Sequence, residues 1–373
     1  MGGNNYNDEI IMKKHKWQAL RCDYTKEIIA EMIQLTENNK EDSFVATEAF
    51  FKWQYIDTPA GRAIIWLAID DKCKIIGQVC FLPIRVKLKD EDVLGAYALN
   101  ILVDSASRNK GIFAVLARKA FDEMQNSNIK VVYGFPNKFA YPTWIKRTSF
   151  KDLGVIPDLI KIININRFVR KKISNGLIRT LISLIYKVFL LSLHKNKPKD
   201  LQVQRIEEFN DNFNASWTLQ SKDYKNMIVR SKDYLNWRYF YCPTRKYEVF
   251  CCKNNKNEIQ GYVVLRIISE GGLNVGWIVD IFSGISKSGE KASEVLIIEA
   301  QKYFIMQNVD IVRCVVSENS IGFKALRKNG FLRTPRTFKL WPIKIIMNIF
   351  DNKYVGEQLV DHWFFTLGDN DAI

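Results

Sequence analysis

The chain is poor in histidine and has no paired cysteines. Its 373 residues include only three histidines, far apart in the sequence, and seven scattered cysteines without a CxxC motif. Such sparse nitrogen and sulfur ligands argue against a zinc site, and an odd number of cysteines argues against a disulfide framework. We therefore expect reduced thiols in a cytoplasmic protein that needs no metal.

The N-terminus lacks a long apolar stretch, and the centre of the chain lacks acidic residues. The opening residues, MGGNNYNDEIIMKK, have no apolar stretch of the kind found in a secretory signal. The centre lacks acidic residues: from Lys161 to Lys199 there are ten Lys or Arg and no Asp or Glu, in a chain of net charge +15. A basic field spread over a whole protein suits nucleic acid, whereas one local basic segment suits a single anionic surface such as a membrane. We expect no nucleic-acid partner.

An internal repeat indicates two similar halves. Trp53-Gln-Tyr55-Ile-Asp-Thr-Pro recurs as Trp237-Arg-Tyr239-Phe-Tyr-Cys-Pro, and after equal intervals each copy reaches a glycine in a strand-like run, Gly77 or Gly261. Each half then reads as strand hairpins followed by alternating helices and strands. The pattern predicts an α/β protein whose two tandem domains each contain a mixed sheet.

We expect the first domain at residues 1–165, a linker at 166–199 and the second domain at 200–373. The linker contains a long apolar run with a narrow stripe of Arg179, Ser183 and Lys187. It is too short and too charged for a membrane-spanning helix. Two interpretations stay open: residues 168–198 contact an anionic membrane as an amphipathic helix, or the helix is buried between the domains.

The clearest chemical signal is a polar loop between a strand and a helix in the first half. The strand ends at Leu102-Val103-Asp104, and the loop runs through Arg108 to Gly111 before an apolar helix. Such a connection directs backbone N–H groups and a helix N-terminus at one point, which suits a diphosphate. An ordinary strand–turn–helix connection with solvated basic side chains is the alternative.

Two stretches resemble a known family. Arg108-x-x-Gly111-x-Phe113 resembles the (Q/R)-x-x-G-x-(G/A) acyl-CoA loop of the GNAT N-acetyltransferases, although Phe113 stands where a small residue is usual. Gly134-Phe-Pro-Asn137…Tyr141-Pro142 resembles a tandem-GNAT subgroup associated with bacterial surface-polysaccharide synthesis. The resemblance extends over the repeated aromatic motif and the C-terminal stretch 363–371, and so covers most of both halves.

The resemblance implies where a CoA thioester binds. The pantetheine lies between strand 99–104 and strand 129–136, and Asn137 either binds a pantetheine amide or caps a helix. The backbone at Leu102 or Val103 faces the thioester, where an N–H group would stabilise the tetrahedral oxyanion. The pyrophosphate is held by the loop residues Arg108, Asn109, Lys110, Gly111, Ile112 and Phe113.

Groups for proton transfer are less clearly marked. We take Tyr141 as the candidate general acid, with packing of its ring at a helix start as the alternative. Asn100 or Asp104 could orient a water molecule as a base relay. Trp144 stands closer to the position where many GNAT enzymes carry their acid tyrosine.

The second half lacks the loop signature. Residues 279–290 contain glycines but no Arg-x-x-Gly spacing, and Glu290 at the helix start would repel a diphosphate. Leu326 stands where an acid tyrosine would be expected. We therefore predict one acyl-CoA per chain and a structural or acceptor-binding role for the second half.

Together these features predict an N-acyltransferase that uses acetyl-CoA and an amine acceptor. The resemblance implies an amino sugar of surface-polysaccharide synthesis as acceptor, and a cytoplasmic location that includes the inner face of the membrane. Two alternatives stay open. A Fem-like aminoacyl transferase also has twin GNAT-like halves but does not need the CoA loop, and a non-catalytic GNAT-fold scaffold at the membrane would bind nothing at Arg108.

Overall fold

The protein forms two compact units. The computed structural model describes residues 3–39, 47–165, 175–192, 200–335 and 342–370. The first unit comprises Met1–Gly154, Tyr241–Arg245 and Lys344–Leu359; the second comprises Val155–Phe240, Lys246–Ile343 and Val360–Ile373. Each unit is built around a mixed sheet, so the predicted α/β class is confirmed.

The sheet of the first unit has the strand order β1-β2-β3-β4-β5-β15-β6. Strands β1 to β4 form an antiparallel meander, β4 and β5 are parallel, and β5 and β15 are antiparallel. The strands are β1 (Trp17–Arg21), β2 (Ile64–Asp70), β3 (Ile75–Leu88), β4 (Glu91–Val103), β5 (Val131–Gly134), β6 (Lys151–Val155) and β15 (Lys344–Ile349). The helices are α1 (Gly3–His15), α2 (Lys26–Asn39), α3 (Glu48–Tyr55), α4 (Ile112–Asn126) and α5 (Ala140–Arg147).

Helix α4 is held tightly against this sheet. Its apolar positions recur at helical spacing, so Val115, Leu116, Ala120 and Met124 are all buried in one core cluster. The start of α4 comes close to β3, because a Cβ at Gly77 would lie only 2.8 Å from Ile112 Cγ2. The glycine in β3 thus fixes where the helix begins.

The sheet of the second unit has the strand order β14-β7-β13-β12-β11-β10-β8, in which β12 and β13 are parallel. Strands β9 and β16 pair in parallel outside this strand order. The strands are β7 (Asp158–Ile162), β8 (Leu201–Ile206), β9 (Asn226–Ile228), β10 (Glu248–Asn254), β11 (Ile259–Glu270), β12 (Leu273–Ser283), β13 (Ile311–Val315), β14 (Leu332–Arg333) and β16 (Trp363–Phe364). The helices are α6 (Gly176–Ser192), α7 (Asp211–Gln220), α8 (Lys232–Tyr239), α9 (Lys287–Met306) and α10 (Ile321–Lys328).

Each unit has a hydrogen bond between a tyrosine of the repeated motif and the equivalent position of its own hairpin. In the first, Gly77 pairs with Val103, and three residues before Val103 the amide of Asn100 donates to Tyr55 Oη at 2.7 Å. In the second, Gly261 pairs with Ser283, and three residues before Ser283 the carboxylate of Asp280 accepts from Tyr239 Oη at 3.0 Å. Both tyrosines belong to the repeated sequence motif. The correspondence is what a duplication predicts.

The compact units do not coincide with the expected boundaries at residues 165 and 200. Strand β7, from the expected first domain, pairs with β13 in the second unit, and β15, from the expected second domain, pairs with β5 in the first. Each exchanged strand covers an edge that would otherwise expose unpaired backbone groups. Of the expected linker, residues 166–174 and 193–199 lie outside the described residues, and the rest contains the predicted helix, α6.

The length and composition of the helices determine whether one of them could span a membrane. Within the described parts of the chain, no helix combines the length and the apolar character that crossing a bilayer requires.

Candidate functional site

A wedge opens between β4 and β5. Their parallel pairing runs from Gly95 opposite Val131 to Ala98 opposite Gly134, where β5 ends. Strand β4 continues to Val103, still paired with β3. In the described chain no strand pair joins β4 to β5 beyond Ala98, so the two strands separate along residues 99–103. The predicted residues Leu102 and Val103 lie here and are partly exposed.

Asn100 shapes this edge. Its backbone is left-handed, with φ of 47°, next to a shift in the register of β3 and β4. Gln78 Nε2 donates to the Asn100 carbonyl at 2.9 Å, and the Asn100 amide donates to Gln54 Oε1 and Tyr55 Oη. A bulge of this kind re-aims the strand. The side chain predicted as a water relay is therefore held by α3.

The loop after β4 presents free backbone donors. Asp104 caps the loop, since its carboxylate accepts from Ala106 N at 3.2 Å. Asn109 and Gly111 are left-handed, with φ of 65° and 75°, and α4 begins directly afterwards without a side-chain cap. Among the described residues, none accepts a hydrogen bond from the N–H groups of residues 109–114. These donors, at the positive end of a helix dipole, form a concavity whose chemistry suits an anion.

The side chains of the loop leave this concavity accessible. Arg108 and Asn109 are exposed, and Lys110 is half-buried with its Nζ 3.5 Å from Ser107 Oγ. At Gly111 a Cβ would meet Ile11 Cγ2 of α1 at 2.9 Å. Glycine is therefore required at this position for space as well as for its positive φ.

Phe113, which stands where the acyl-CoA loop pattern has a small residue, packs against α5. Its ring lies edge-on to Trp144 with centroids 4.9 Å apart, and Trp144 also packs against Phe150. Trp144 is buried in the core cluster. Because an indole N–H is not an acid in the range of a thiolate, Trp144 fills space here instead of supplying a proton.

Asn137 and Tyr141 lie at the start of α5. Asn137 Oδ1 accepts from the N–H groups of Phe139 and Ala140 at 3.0 and 2.9 Å, which is the geometry of a helix cap. Tyr141 Oη donates to Asp152, and Lys344 Nζ lies 2.8 Å from Asp152 Oδ2. The three side chains form one cluster, which the sequence did not reveal because Lys344 is 192 positions from Asp152.

This cluster sets the charge around the tyrosine hydroxyl. Burial alone would raise the pKa of Asp152, but hydrogen bonds from Lys344 and Tyr141 bring it below its ordinary value. The hydrogen bond to Asp152 raises the pKa of Lys344. The carboxylate therefore stays ionised and the ammonium charged, with Tyr141 beside both.

A cavity of about 480 Å³ lies elsewhere in the first unit. It is lined by α1, β1, the end of β2 and α4, including Trp17, Asp70 and Lys119, and by none of the predicted site residues. Those residues lie instead along the end of β4, in the loop that follows it and at the start of α5. Among the described residues, no group of His, Cys, Asp and Glu is arranged to hold a metal ion.

The corresponding loop in the second unit is closed by its own chain. Ser286 caps α9, its Oγ accepting from Gly289 N at 3.1 Å. A Cβ at Gly289 would lie 1.9 Å from the Gly284 carbonyl oxygen, so backbone packs directly on backbone. Glu290 in the first turn pairs with Lys328.

The end of β12 is also occupied. β12 and β13 pair only as far as Ile278, but Val316, just beyond β13, bridges to Thr366 of the C-terminal segment. The Thr366 hydroxyl donates to Asp280 Oδ1 at 2.9 Å. Arg230, only 1% exposed, binds Asp280 at 3.3 Å and Asp369 at 2.9 Å. A buried ionic network thus fills the second wedge.

Residues 24–145, which contain the first wedge and its loop, match the family model described as the acetyltransferase (GNAT) domain. No curated protein sequence matches the chain. Residues 24–145 are therefore similar to the acetyltransferase (GNAT) domain.

Several solved structures share the fold. A probable N-acyltransferase from Enterococcus faecalis V583 is 11% identical with a TM-score of 0.57, over 90% of this chain and 73% of that one. The Saccharomyces cerevisiae N-myristoyltransferase with bound myristoyl-CoA is 11% identical with a TM-score of 0.57, over 89% of this chain and 82% of the other. A GCN5-related N-acetyltransferase from Anabaena variabilis is 12% identical with a TM-score of 0.61, over 90% and 73%. At such identities the similarity shows the fold alone.

Proposed function

We propose that the GNAT acetyltransferase domain in the first half of the chain transfers an acyl group from acyl-CoA, with acetyl-CoA as the donor, to an amine. The observation that carries this proposal is the open wedge between β4 and β5, which leads directly into a loop with free N–H groups at residues 109–114. A thioester in the wedge and a diphosphate on the loop fit one CoA molecule.

The backbone of β4 favours Val103 over Leu102 as the oxyanion donor. Asp104 N donates to Ile76 O on β3. Because successive N–H groups of a strand point to opposite edges, the N–H of Val103 faces away from β3 and toward the wedge. A preorganised donor at this position would lower the barrier by about 3–4 kcal/mol, and holding amine and thioester together would contribute proximity.

Tyr141 is the proposed general acid. The amine nitrogen attacks the thioester carbonyl and gives up one proton to a water molecule, the C–S bond breaks, and the leaving thiolate takes the hydroxyl proton of Tyr141, which solvent then replaces. The contacts with Asp152 and Lys344 support this role, since they hold the Tyr141 side chain in place. Asn100 and Asp104 are positioning residues in this scheme, because their side chains are held by α3 and by the loop.

The acceptor and the location are proposed from the sequence resemblance. An amino sugar used for surface polysaccharide is the favoured acceptor, and the cytoplasm, including the inner face of the membrane, is the favoured location. Acyl length is a separate question, because one structural neighbour binds myristoyl-CoA. Titrating both acetyl-CoA and myristoyl-CoA would decide which donor the wedge accepts.

Calorimetric titration of acetyl-CoA into the full chain tests the proposal. We expect one site per chain and a loss of affinity of about 100-fold or more in Arg108→Glu and in Gly111→Asp, which place negative charge beside the diphosphate. Two controls match these changes. Lys72→Glu makes the same charge change on an exposed turn, and Gly271→Asp makes the same substitution at another left-handed glycine with free space.

Both controls should bind acetyl-CoA as the unmodified chain does. Two sites per chain, or equal losses in the control variants, would contradict the assignment of the loop. If the unmodified chain bound neither acyl-CoA, the acyltransferase proposal would fail in favour of a non-catalytic scaffold or a tRNA-dependent aminoacyl transferase.

A further inference from the structure

Helix α6 exposes a continuous apolar face. Six apolar side chains on this 17-residue helix are between 49% and 84% exposed: Leu177, Ile178, Leu181, Leu184, Ile185 and Val188. At about 100° per residue these positions fall within a single arc of about 120°. An exposed apolar surface of this kind on a folded protein marks an interaction site.

Another side of the same helix is attached to the second unit. Tyr186 Oη donates to the Ile162 carbonyl of β7 at 3.1 Å, and burial raises the pKa of Tyr186. Ile182, one turn earlier, is also half-buried. The helix is therefore fixed along one side, and nothing in the described chain covers the apolar face.

The charge around the helix indicates what covers it. From Arg167 to Lys199 the sequence has nine Lys or Arg and no Asp or Glu, and seven of them flank the helix: Arg167, Arg170, Lys171, Lys172, Lys195, Lys197 and Lys199. Acidic lipid headgroups attract such flanks at about 1 kcal/mol per basic residue near the surface. The acyl boundary beneath the headgroups accepts the apolar side chains. Nucleic acid would satisfy the charge but offers no surface for six exposed aliphatic side chains.

We propose that α6 lies in the interface of an anionic lipid bilayer, parallel to its surface, with the face from Leu177 to Val188 inserted below acidic headgroups that attract the basic sequence on either side. A spanning helix needs about 20 apolar residues, so α6 binds the surface without crossing. The proposal does not depend on acyl-CoA binding, and its test uses neither donor nor acceptor.

Vesicle sedimentation of the full chain tests this surface. The vesicles are made of phosphatidylcholine alone or of phosphatidylcholine and phosphatidylglycerol in equal parts. We expect the chain to sediment with the anionic vesicles only, and high salt to weaken binding because it screens the headgroups. Leu181→Glu should weaken binding at least about tenfold, since it removes one leucine that the bilayer would bury and adds a negative charge.

Thr180→Glu is the matched control. It adds the same charge one residue away, on an exposed position outside the apolar arc, so it should retain most of the binding. Circular dichroism and the melting temperature of both variants establish that they fold. The proposal is overturned if the unmodified chain sediments with neither vesicle, or if Leu181→Glu binds as well as the unmodified chain. A concentration-dependent dimer lost in Leu181→Glu, without vesicle binding, would assign the face to a second copy of the chain.

Discussion

The two units carry the same hairpin and the same tyrosine contact, but only the first leaves the end of its central strand open. In the first, Asn100 is partly exposed, and no described strand pairs with β4 between its partners β3 and β5. In the second, the C-terminal segment occupies the equivalent place and Asp280 is 1% exposed. A shared scaffold therefore does not imply a shared site.

The loops that precede α4 and α9 differ in how the helix N-terminus is capped. The first unit starts α4 with a left-handed Gly111 and no side-chain cap, whereas the second starts α9 with Ser286 bonded to Gly289 N. A helix N-terminus that is already capped has fewer donors to offer an anion. Glu290, paired with Lys328, adds a negative charge, which would repel an anion. The same architecture thus either caps the helix with its own side chain, as at α9, or leaves the helix N-terminus without such a cap, as at α4.

The largest expected effect lies in the buried network of the second unit. Arg230→Met leaves Asp280 and Asp369 without their cation, so we expect the free energy of unfolding to fall by about 3–5 kcal/mol. Urea denaturation followed by circular dichroism measures this loss. Arg333→Met, which removes an exposed arginine paired with Glu318, should change stability by less than about 1 kcal/mol. Equal effects in the two variants would show that burial of the network is not important.

The next contrast concerns Tyr141 of the first unit, for which the second has Leu326. Tyr141→Phe should reduce kcat by about 100-fold, the smaller end of the range for a general acid, and leave acetyl-CoA affinity unchanged. Release of CoA thiol in the presence of an amine acceptor measures the rate. Tyr186→Phe removes a hydroxyl that donates to a backbone carbonyl of the second unit and should leave kcat unchanged. Unchanged turnover in Tyr141→Phe would remove the assignment.

The smallest contrast compares the two tyrosines of the repeated motif. Tyr239→Phe deletes a hydroxyl bound to a buried carboxylate and should cost about 1.5–3 kcal/mol of stability. Tyr55→Phe deletes a bond to a neutral amide and should cost only about 1 kcal/mol. Thermal and urea denaturation of both variants measure the difference. A larger loss for Tyr55→Phe would mean that the first wedge, and not the second, carries the more important polar contact.

Several features followed from local sequence patterns. The mixed α/β class and the helix after the loop depend on short-range spacing, and the structure has both. Phe113 looked like a misfit in the sequence alone, but it packs against Trp144, a partner 31 positions away. The Tyr141 cluster needed Asp152 and Lys344, and no short motif links residues so far apart.

The sequence by itself determined the mixed α/β class, the helix that follows the loop after β4 and the basic, apolar composition around α6, because each depends on a short stretch of the chain. Only the tertiary structure decided that β7 joins the sheet of the second unit and β15 that of the first, and that the C-terminal segment bonds to Asp280 at the end of β12. Strand edges and buried charges are satisfied by whichever segment reaches them. That choice depends on the packing of the whole unit, not on local spacing.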